Sequence, residues 1–286
     1  MNIFAGYRNC RVFHRAATGR FIPLKTEPRL AVEASEFANC NQGEAIDMVG
    51  CHDGAILGNH FHDIVSNGVQ TKGGSSDVLI HGNRFEDVGQ RAVNAGGSTG
   101  LQFFRPIDAT HEGARIQVVA NTFARTGSTP IAFVGCDTCV FANNTVDAPS
   151  NFMVRILEET PERGPGSDGF VMNNVFVFAS SQLSGFSWVN IGGGTLPETF
   201  TFANNLWFDD DDSGFTEPDI EGPITETGSL IQLDPLFIDR AAGNYHVNAN
   251  SPIAGAAASA VPRGVPADFD GSLYGDPLDV GAFTGP

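Results

Sequence analysis

Tyrosine and tryptophan are scarce in this chain, 3 and 2 of 286 residues, although phenylalanine reaches 23. Rings without a polar tip suit a dry interior, where no hydroxyl or indole N–H has to find a partner. Lysine is rarer still for a chain with 16 basic residues: Lys25 and Lys72 are the two, and every other cation is an arginine. No apolar run approaches the roughly 18 residues of a membrane-crossing helix, so no membrane partner is expected. Helical periodicity is nearly missing, while 34 glycines and 16 prolines punctuate the chain. Short strands and tight turns follow from that pattern. The start, Met1-Asn2-Ile3-Phe4, lacks the charged beginning, apolar middle and cleavage site of a signal peptide. A basic footprint is missing too, since the formal charge is −17, and no nucleic-acid partner is expected. The charge is uneven: residues 206–286 hold 14 acids and 2 bases, against 19 and 14 in residues 1–205. Such a tail is expected to be solvated surface.

What the chain does have is a phrase that recurs from Arg29 to Trp207: a branched or aromatic run, an asparagine, one free residue, then a large apolar anchor. The copies end in Asn59-His60-Phe61, Asn83-Arg84-Phe85, Asn121-Thr122-Phe123, Asn144-Thr145-Val146, Asn174-Val175-Phe176 and Asn205-Leu206-Trp207, after a degenerate one in Ser35-Glu36-Phe37. Steps between anchors are 24, 24, 38, 23, 30 and 31 residues, a period of 23 or 24 with insertions. A period near 24, short β-branched strands and asparagine at one register predict a single-stranded parallel β-helix, an all-β solenoid of about seven to nine coils. Asparagine fits a stacked corner because it tolerates a left-handed backbone and because its amide can bond the amides above and below.

Three segments are expected. Residues 1–28, basic until Glu27, form an irregular N-terminal coil or cap, with further residues expected upstream. Residues 29–208 are the β-helix rungs, and residues 209–286 are acidic C-terminal coils and a tail packing on it. Cys51 and Cys136 fall on equivalent corners three rungs apart, roughly 14 Å, beyond a disulfide. Cys136 and Cys139 are expected to be packed thiols or a local disulfide. Insertions interrupt the stack at residues 98–115 and 158–168; Phe103, Phe104 and Arg105 in the first are the candidate wall of a binding groove. The aspartates at 209–212 are expected to be solvated, with a calcium contact as the alternative.

Alternation along the second strand of each coil sorts its side chains. Ile46, Met48, Val69, Thr71, Val93, Ala95, Ile131, Phe133, Val154 and Ile156 fall inward. Asp47, Gln70, Lys72, Asn94 and Arg155 fall outward, with Arg91 just ahead of its strand and Gly73, Gly74, Gly96 and Gly97 leaving room. Lys72 stands out because an amine can lose its proton when burial or neighbouring cations lower its pKa, which a guanidinium cannot do. A neutral lysine could abstract the C5 proton of a uronate, while an arginine or calcium neutralises the carboxylate. A hydrolase would need two carboxylates across the sugar bond, for which Asp47 and Asp53 are the available pair. His60, His62 and His52 are expected to be surface imidazoles.

The tail phrases Asp234-Pro235-Leu236-Phe237-Ile238-Asp239, Gly243-Asn244-Tyr245-His246-Val247 and Asp279-Val280-Gly281-Ala282-Phe283 resemble the closing segment of bacterial right-handed parallel β-helix proteins, many of them secreted and polysaccharide-active. The face around Lys72 is distantly similar to the chondroitinase B and alginate lyase family, where a lysine on one rung and an arginine on the next face a calcium site. The resemblance implies Lys72 as base and Arg91 as its arginine. Gln70, Asn94, Arg155 and Asp47 would contact substrate, and Glu44 with Asp47 would hold calcium. The family's Arg-His-Gly phrase is missing, and its arginine aligns best near Asn94. An anionic polysaccharide is thus the expected partner, cleaved by β-elimination, of a monomer located outside the cell or in the periplasm. A non-catalytic carbohydrate-binding scaffold and a glycoside hydrolase are the alternatives.

Overall fold

The computed structural model describes residues 30–185, 187–257 and 260–285, with the backbone of two earlier strands, Asn2–Phe4 and Arg11–His14. Each coil lays down three short strands. One precedes the asparagine, as in Ser75–His81; one follows it, as in Arg84–Val88; the third is typified by Val69–Lys72. Equivalent strands of successive coils pair side by side, giving first, second and third sheets of 10, 9 and 7 strands. The pairing is parallel throughout the stack, as the period required, and eight parallel strands remain in the second sheet once Arg11–His14 is set aside.

The asparagines form one column. Each carboxamide oxygen accepts from the backbone N–H and the amide of the asparagine one coil earlier: Asn59 donates to Asn83 Oδ1 at 2.9 Å from both groups, and Asn83 to Asn121 at 2.9 and 3.0 Å. The relay continues through Asn144, Asn174 and Asn205. Ser35 opens it with its N–H, and Glu226 closes it, accepting from Asn205 at 2.8 Å and from the Trp207 indole at 2.7 Å. One of the two reasons for asparagine here needs correction. The left-handed residues are those just before the ladder, Ala120, Asn143, Asn173 and Asn204, with φ of 51–55°. Hydrogen bonding alone selects the ladder asparagines.

Two residues on, the anchors stack inside. Phe37, Phe61, Phe85 and Phe123 lie face to face with centroids 4.7–4.9 Å apart, and Phe176 meets Trp207 at 4.3 Å. Each such contact adds about 0.5–1.5 kcal/mol to simple burial. The ten inward positions assigned from alternation are all buried, Thr71 donating to Asn94 O. At two outer corners an arginine reaches back one coil in a bidentate pair: Arg115 to Asp77 at 2.9 and 2.6 Å, and Arg125 to Asp87 at 2.8 Å twice.

Cys51, Ser75, Gly113 and Cys136 line one corner in successive coils, the predicted three-rung separation. Cys136 and Cys139 form a local disulfide, Cys40 is also disulfide-bonded, and Cys51 is a buried thiol. Asn2–Phe4 and Arg11–His14 pair antiparallel with Ile46–Val49 and Ser35–Cys40, closing the first edges of the third and second sheets. The other residues of the expected 1–28 cap lie outside the described ones. The tail covers the other two faces. Val247, Ile253 and Val280 pack on Val175, Val177 and Leu206 of the second sheet, and Val261 packs among Val119, Val140 and Met172 of the first. Tyr245 and Arg240 both bind Asp147. The acidic run 209–212 is only partly solvated surface: Asp209 is buried, accepting from Ser180 N, while Asp210 pairs with Arg240. Among the described residues no helix is long and apolar enough to cross a membrane.

Replacing Asn121 by Ala strips acceptors from Asn83 and removes the amide's own bonds to Ile80 O and Val119 O, and should cost about 2–4 kcal/mol in denaturant unfolding. Burial pushes the Glu226 carboxyl up to about 6. Because the folded chain then holds this proton more tightly than the unfolded one, its contribution strengthens the fold as pH falls through about 6 toward the ordinary glutamate range. It is lost again as pH rises. A gain of about 1–2 kcal/mol over that window, missing in Glu226→Ala, is expected from unfolding curves at stepped pH.

Candidate functional site

The third sheet places one residue per coil in an outward column: Asp47, Gln70, Asn94, Ala132, Arg155 and Asn190. Lys72 projects from the next outward position, opposite Val49. Its amine lies 3.2 Å from Asp47 Oδ1, and both side chains are largely screened, at 15% and 19% exposure. Burial raises the Asp47 carboxyl, the Lys72 charge opposes that shift, and Glu44 adds to it. Asn94 donates to Gln70 Oε1 at 2.9 Å and accepts from Arg91 at 3.3 Å. The residues expected to be neighbours are therefore neighbours.

They are not, however, an open groove. Gln70 and Asn94 are buried, and so are the outward Ala132 and Val134. The cause is that the two insertions are tied together and to this face. Glu159 of the second reaches back two coils to Arg91 at 2.7 Å and accepts from Ser98 of the first at 3.5 Å. Glu112, itself buried, accepts from Gly73 N, Thr99 N, Thr99 Oγ1 and Thr160 Oγ1, so one carboxylate joins a coil to both loops. The glycines are filled in the same way. A Cβ at Gly96 would meet Val134 O at 1.8 Å and one at Gly74 would meet Arg105 O at 2.7 Å, and only Gly97 makes room for Lys72.

The first insertion also corrects its own expected role. Phe104 is buried, with the Arg163 guanidinium 4.3 Å from its ring centroid, so it packs instead of forming a wall. Phe103 is 56% exposed, beside Leu101 and Ile107, and is the ring available to a ligand. The Arg105 guanidinium folds back onto the carbonyls of Gln102 and Phe104.

Arg155 differs from the other cations. Its Nε donates to Asn190 Oδ1 at 2.9 Å and its guanidinium lies 5.0 Å from the Phe152 ring centroid. Among the described residues it makes no ion pair. Burial, then the charge of Arg91, lower its pKa, while Glu159 opposes them. A half-desolvated guanidinium of this kind has unused hydrogen-bonding capacity for a carboxylate. Asn190 and Glu112 escaped the sequence reading. Asn190 lies past the second insertion, where the period is lost, and Glu112 sits inside a loop with no repeat to index it.

For calcium, Glu44 accepts from Asn67 at 3.3 Å while Asp47 faces Lys72. Among the described residues no three His, Cys, Asp or Glu side chains gather to hold a metal. Calcium takes six to eight oxygens, so these two carboxylates alone do not fit it. Asp53, the other carboxylate considered for a hydrolase, is an exposed left-handed corner residue on a different sheet.

These stacked parallel sheets define the class. The family described as "Right handed beta helix region" matches residues 7–176, more than half of the chain, and the chain belongs to that family. Solved structures that are similar include a glycoside hydrolase, at 10% identity and TM-score 0.41 over 69% of this chain and 39% of that one. The A-module of Azotobacter vinelandii mannuronan C-5 epimerase AlgE6 gives 12% identity and TM-score 0.39 over 68% and 51%. XylC in complex with xylose gives 13% and 0.29 over 75% and 55%. The chain thus spans between two fifths and somewhat over half of each, and at these identities the likeness concerns the fold alone. No curated protein sequence matches.

Lys72 and Asp47 should be energetically coupled. Lys72→Met alone leaves a screened carboxylate unpaired and should cost about 3 kcal/mol, whereas Lys72→Met with Asp47→Leu should recover much of it. A double-mutant cycle by denaturant unfolding measures the coupling.

Proposed function

We propose that this β-helix binds an extended uronic-acid polysaccharide across the outer face of its third sheet and cleaves it by β-elimination. The observation that supports this best is Arg155: a partly desolvated guanidinium that makes no ion pair among the described residues, in line with Asn190, Asn94 and Gln70, on a protein of net charge −17. An acidic protein gains nothing by screening such a cation from water unless an anion comes to it. The tail packs on the other two sheets at those positions, and on the third a polymer has to share the face with the two insertions.

In this proposal Arg155 holds one uronate carboxylate and Arg91 another once its pair with Glu159 opens, which lowers the cost of the enolate that forms when the C5 proton leaves. Lys72 takes that proton, the C4–O bond breaks as the C4–C5 double bond forms, and the departing sugar oxygen takes a proton from water. The Lys72–Asp47 pair has to open first, because an ammonium facing a carboxylate has no lone pair to accept a proton. That contact favours a second reading, in which the same face binds the polymer without cutting it. Either reading carries with it a monomer working outside the cell or in the periplasm.

Alginate, pectate and glycosaminoglycans, each offered with and without calcium, separate the outcomes. β-Elimination gives ultraviolet absorbance from the unsaturated uronate, lost by about 100-fold or more in Lys72→Ala while binding persists. Retention of an intact polymer, weakened in Arg155→Ala, supports the second reading. If none of these polymers is either retained or cut, the proposal fails.

A further inference from the structure

A second constellation lies around the corner from Lys72, where the third sheet turns into the first. His52 and Ser76 are paired in register on adjacent first-sheet strands. Ser76 Oγ is 2.9 Å from His52 Nδ1, and His52 Nε2 is 3.1 Å from the carbonyl oxygen of Arg105. A carbonyl only accepts, so a neutral ring must carry its proton on Nε2. Nδ1 then presents a lone pair to which the Ser76 hydroxyl can donate, with the neighbouring Asp77 carboxylate competing for the same proton. This is the order found in activated nucleophiles: a hydroxyl on a base, and the base oriented by a third group.

The orienting carbonyl is built in. Arg105 belongs to the first insertion, and its N–H is anchored to Gly73 O at 3.0 Å. It sits where Gly50 and Gly74 lack side chains: a Cβ at Gly50 would come within 2.5 Å of Arg105 Cβ, and one at Gly74 within 2.7 Å of its oxygen. Both glycines have left-handed backbones, φ +63° and +86°. Ser76 is held by its own N–H on Cys51 O at 2.9 Å and keeps 7% exposure, while His52 is half-buried. So small an opening suits a small acyl group. Arg115 and Arg263 both bind Asp77, which places two cations one residue from the hydroxyl.

We propose that Ser76 and His52 form a serine nucleophile and general base that removes acetyl esters from a sugar chain lying along the third sheet. The choice of a sugar ester rests on the polysaccharide reading above; the Ser–His chemistry does not. Ser76 Oγ attacks the ester carbonyl as its proton passes to His52 Nδ1. The tetrahedral adduct collapses, the sugar oxygen leaves with that proton, and acetyl-Ser76 remains. Water, giving a proton to the same Nδ1, attacks the acyl carbon, releases acetate and returns the proton to Oγ. The net reaction is ester plus water to alcohol plus acetic acid. Ser76 lies two residues past the Gly73–Gly74 corner from Lys72, so a polymer held by Lys72 would bring its substituents toward this point.

p-Nitrophenyl acetate and a fluorophosphonate probe, used on the whole chain, test the pair without any polysaccharide. We expect hydrolysis that falls about 100-fold or more in Ser76→Ala and in His52→Ala, and a phosphonate adduct that peptide mapping assigns to Ser76. Thermal melts show whether either variant is folded; if one is not, labelling of the unaltered chain decides alone. A Ser76 that takes no label, or a Ser76→Ala chain that hydrolyses the ester at the unaltered rate, overturns the proposal. Binding of uronate polymers is measured separately, so its failure and this one are told apart.

Discussion

Everything in this molecule depends on the registration of one buried amide column. Each ladder asparagine donates toward the next coil from both its backbone and its side chain, and from Asn83 onward each accepts the same two bonds from the coil before. A slip of one residue would turn every phenylalanine anchor out of the interior and every outward group in. The ladder therefore fixes side-chain identity on all three sheets at once. The column Asp47, Gln70, Asn94, Arg155 and Asn190 exists as a surface feature only because the amides hold the coils level.

That registration is why so much was legible in the chain. Asparagine followed two residues later by a large apolar group, repeated six times, specifies strand, corner and face together. The in–out assignment of Ile46, Val69, Val93, Ile131 and Val154 followed from alternation alone. What could not be read was whatever the repeat does not index. The insertions carry no period, so nothing in the sequence showed that Glu112 would bind both of them, that Phe104 would turn inward beneath Arg163, or that Arg105 would offer its carbonyl to His52. Alternation points the side chains of the third-sheet column outward, but whether that face is open depends on those loops. The left-handed corner was placed one residue late, since Asn143-Asn144, Asn173-Asn174 and Asn205 after Asn204 hide two different roles behind one residue type.

The loops change the character of the third sheet without disturbing its stacking. Sites on a solenoid are set by what hangs from its corners, because the coils themselves are held by neighbours above and below. Here two loops of quite different sequence converge on Glu112, and between them Lys72 and Asp47 are screened enough to depend on each other. The second and first sheets have the opposite fate. Tyr245, Arg240 and the apolar residues of the tail take their outer surfaces, and an otherwise polar wall at Asp147 becomes an internal joint.

The acid at the end of the column has a meaning of its own. An amide both gives and receives, and so hands the pattern on; a carboxylate can only receive. With Glu226 in the final place, its two oxygens are taken by Asn205 and Trp207, and it offers nothing to a following strand. Chain length in this architecture is thus written in the donor–acceptor chemistry of a single side chain, and lengthening the solenoid by duplication would require that full stop to be rewritten first.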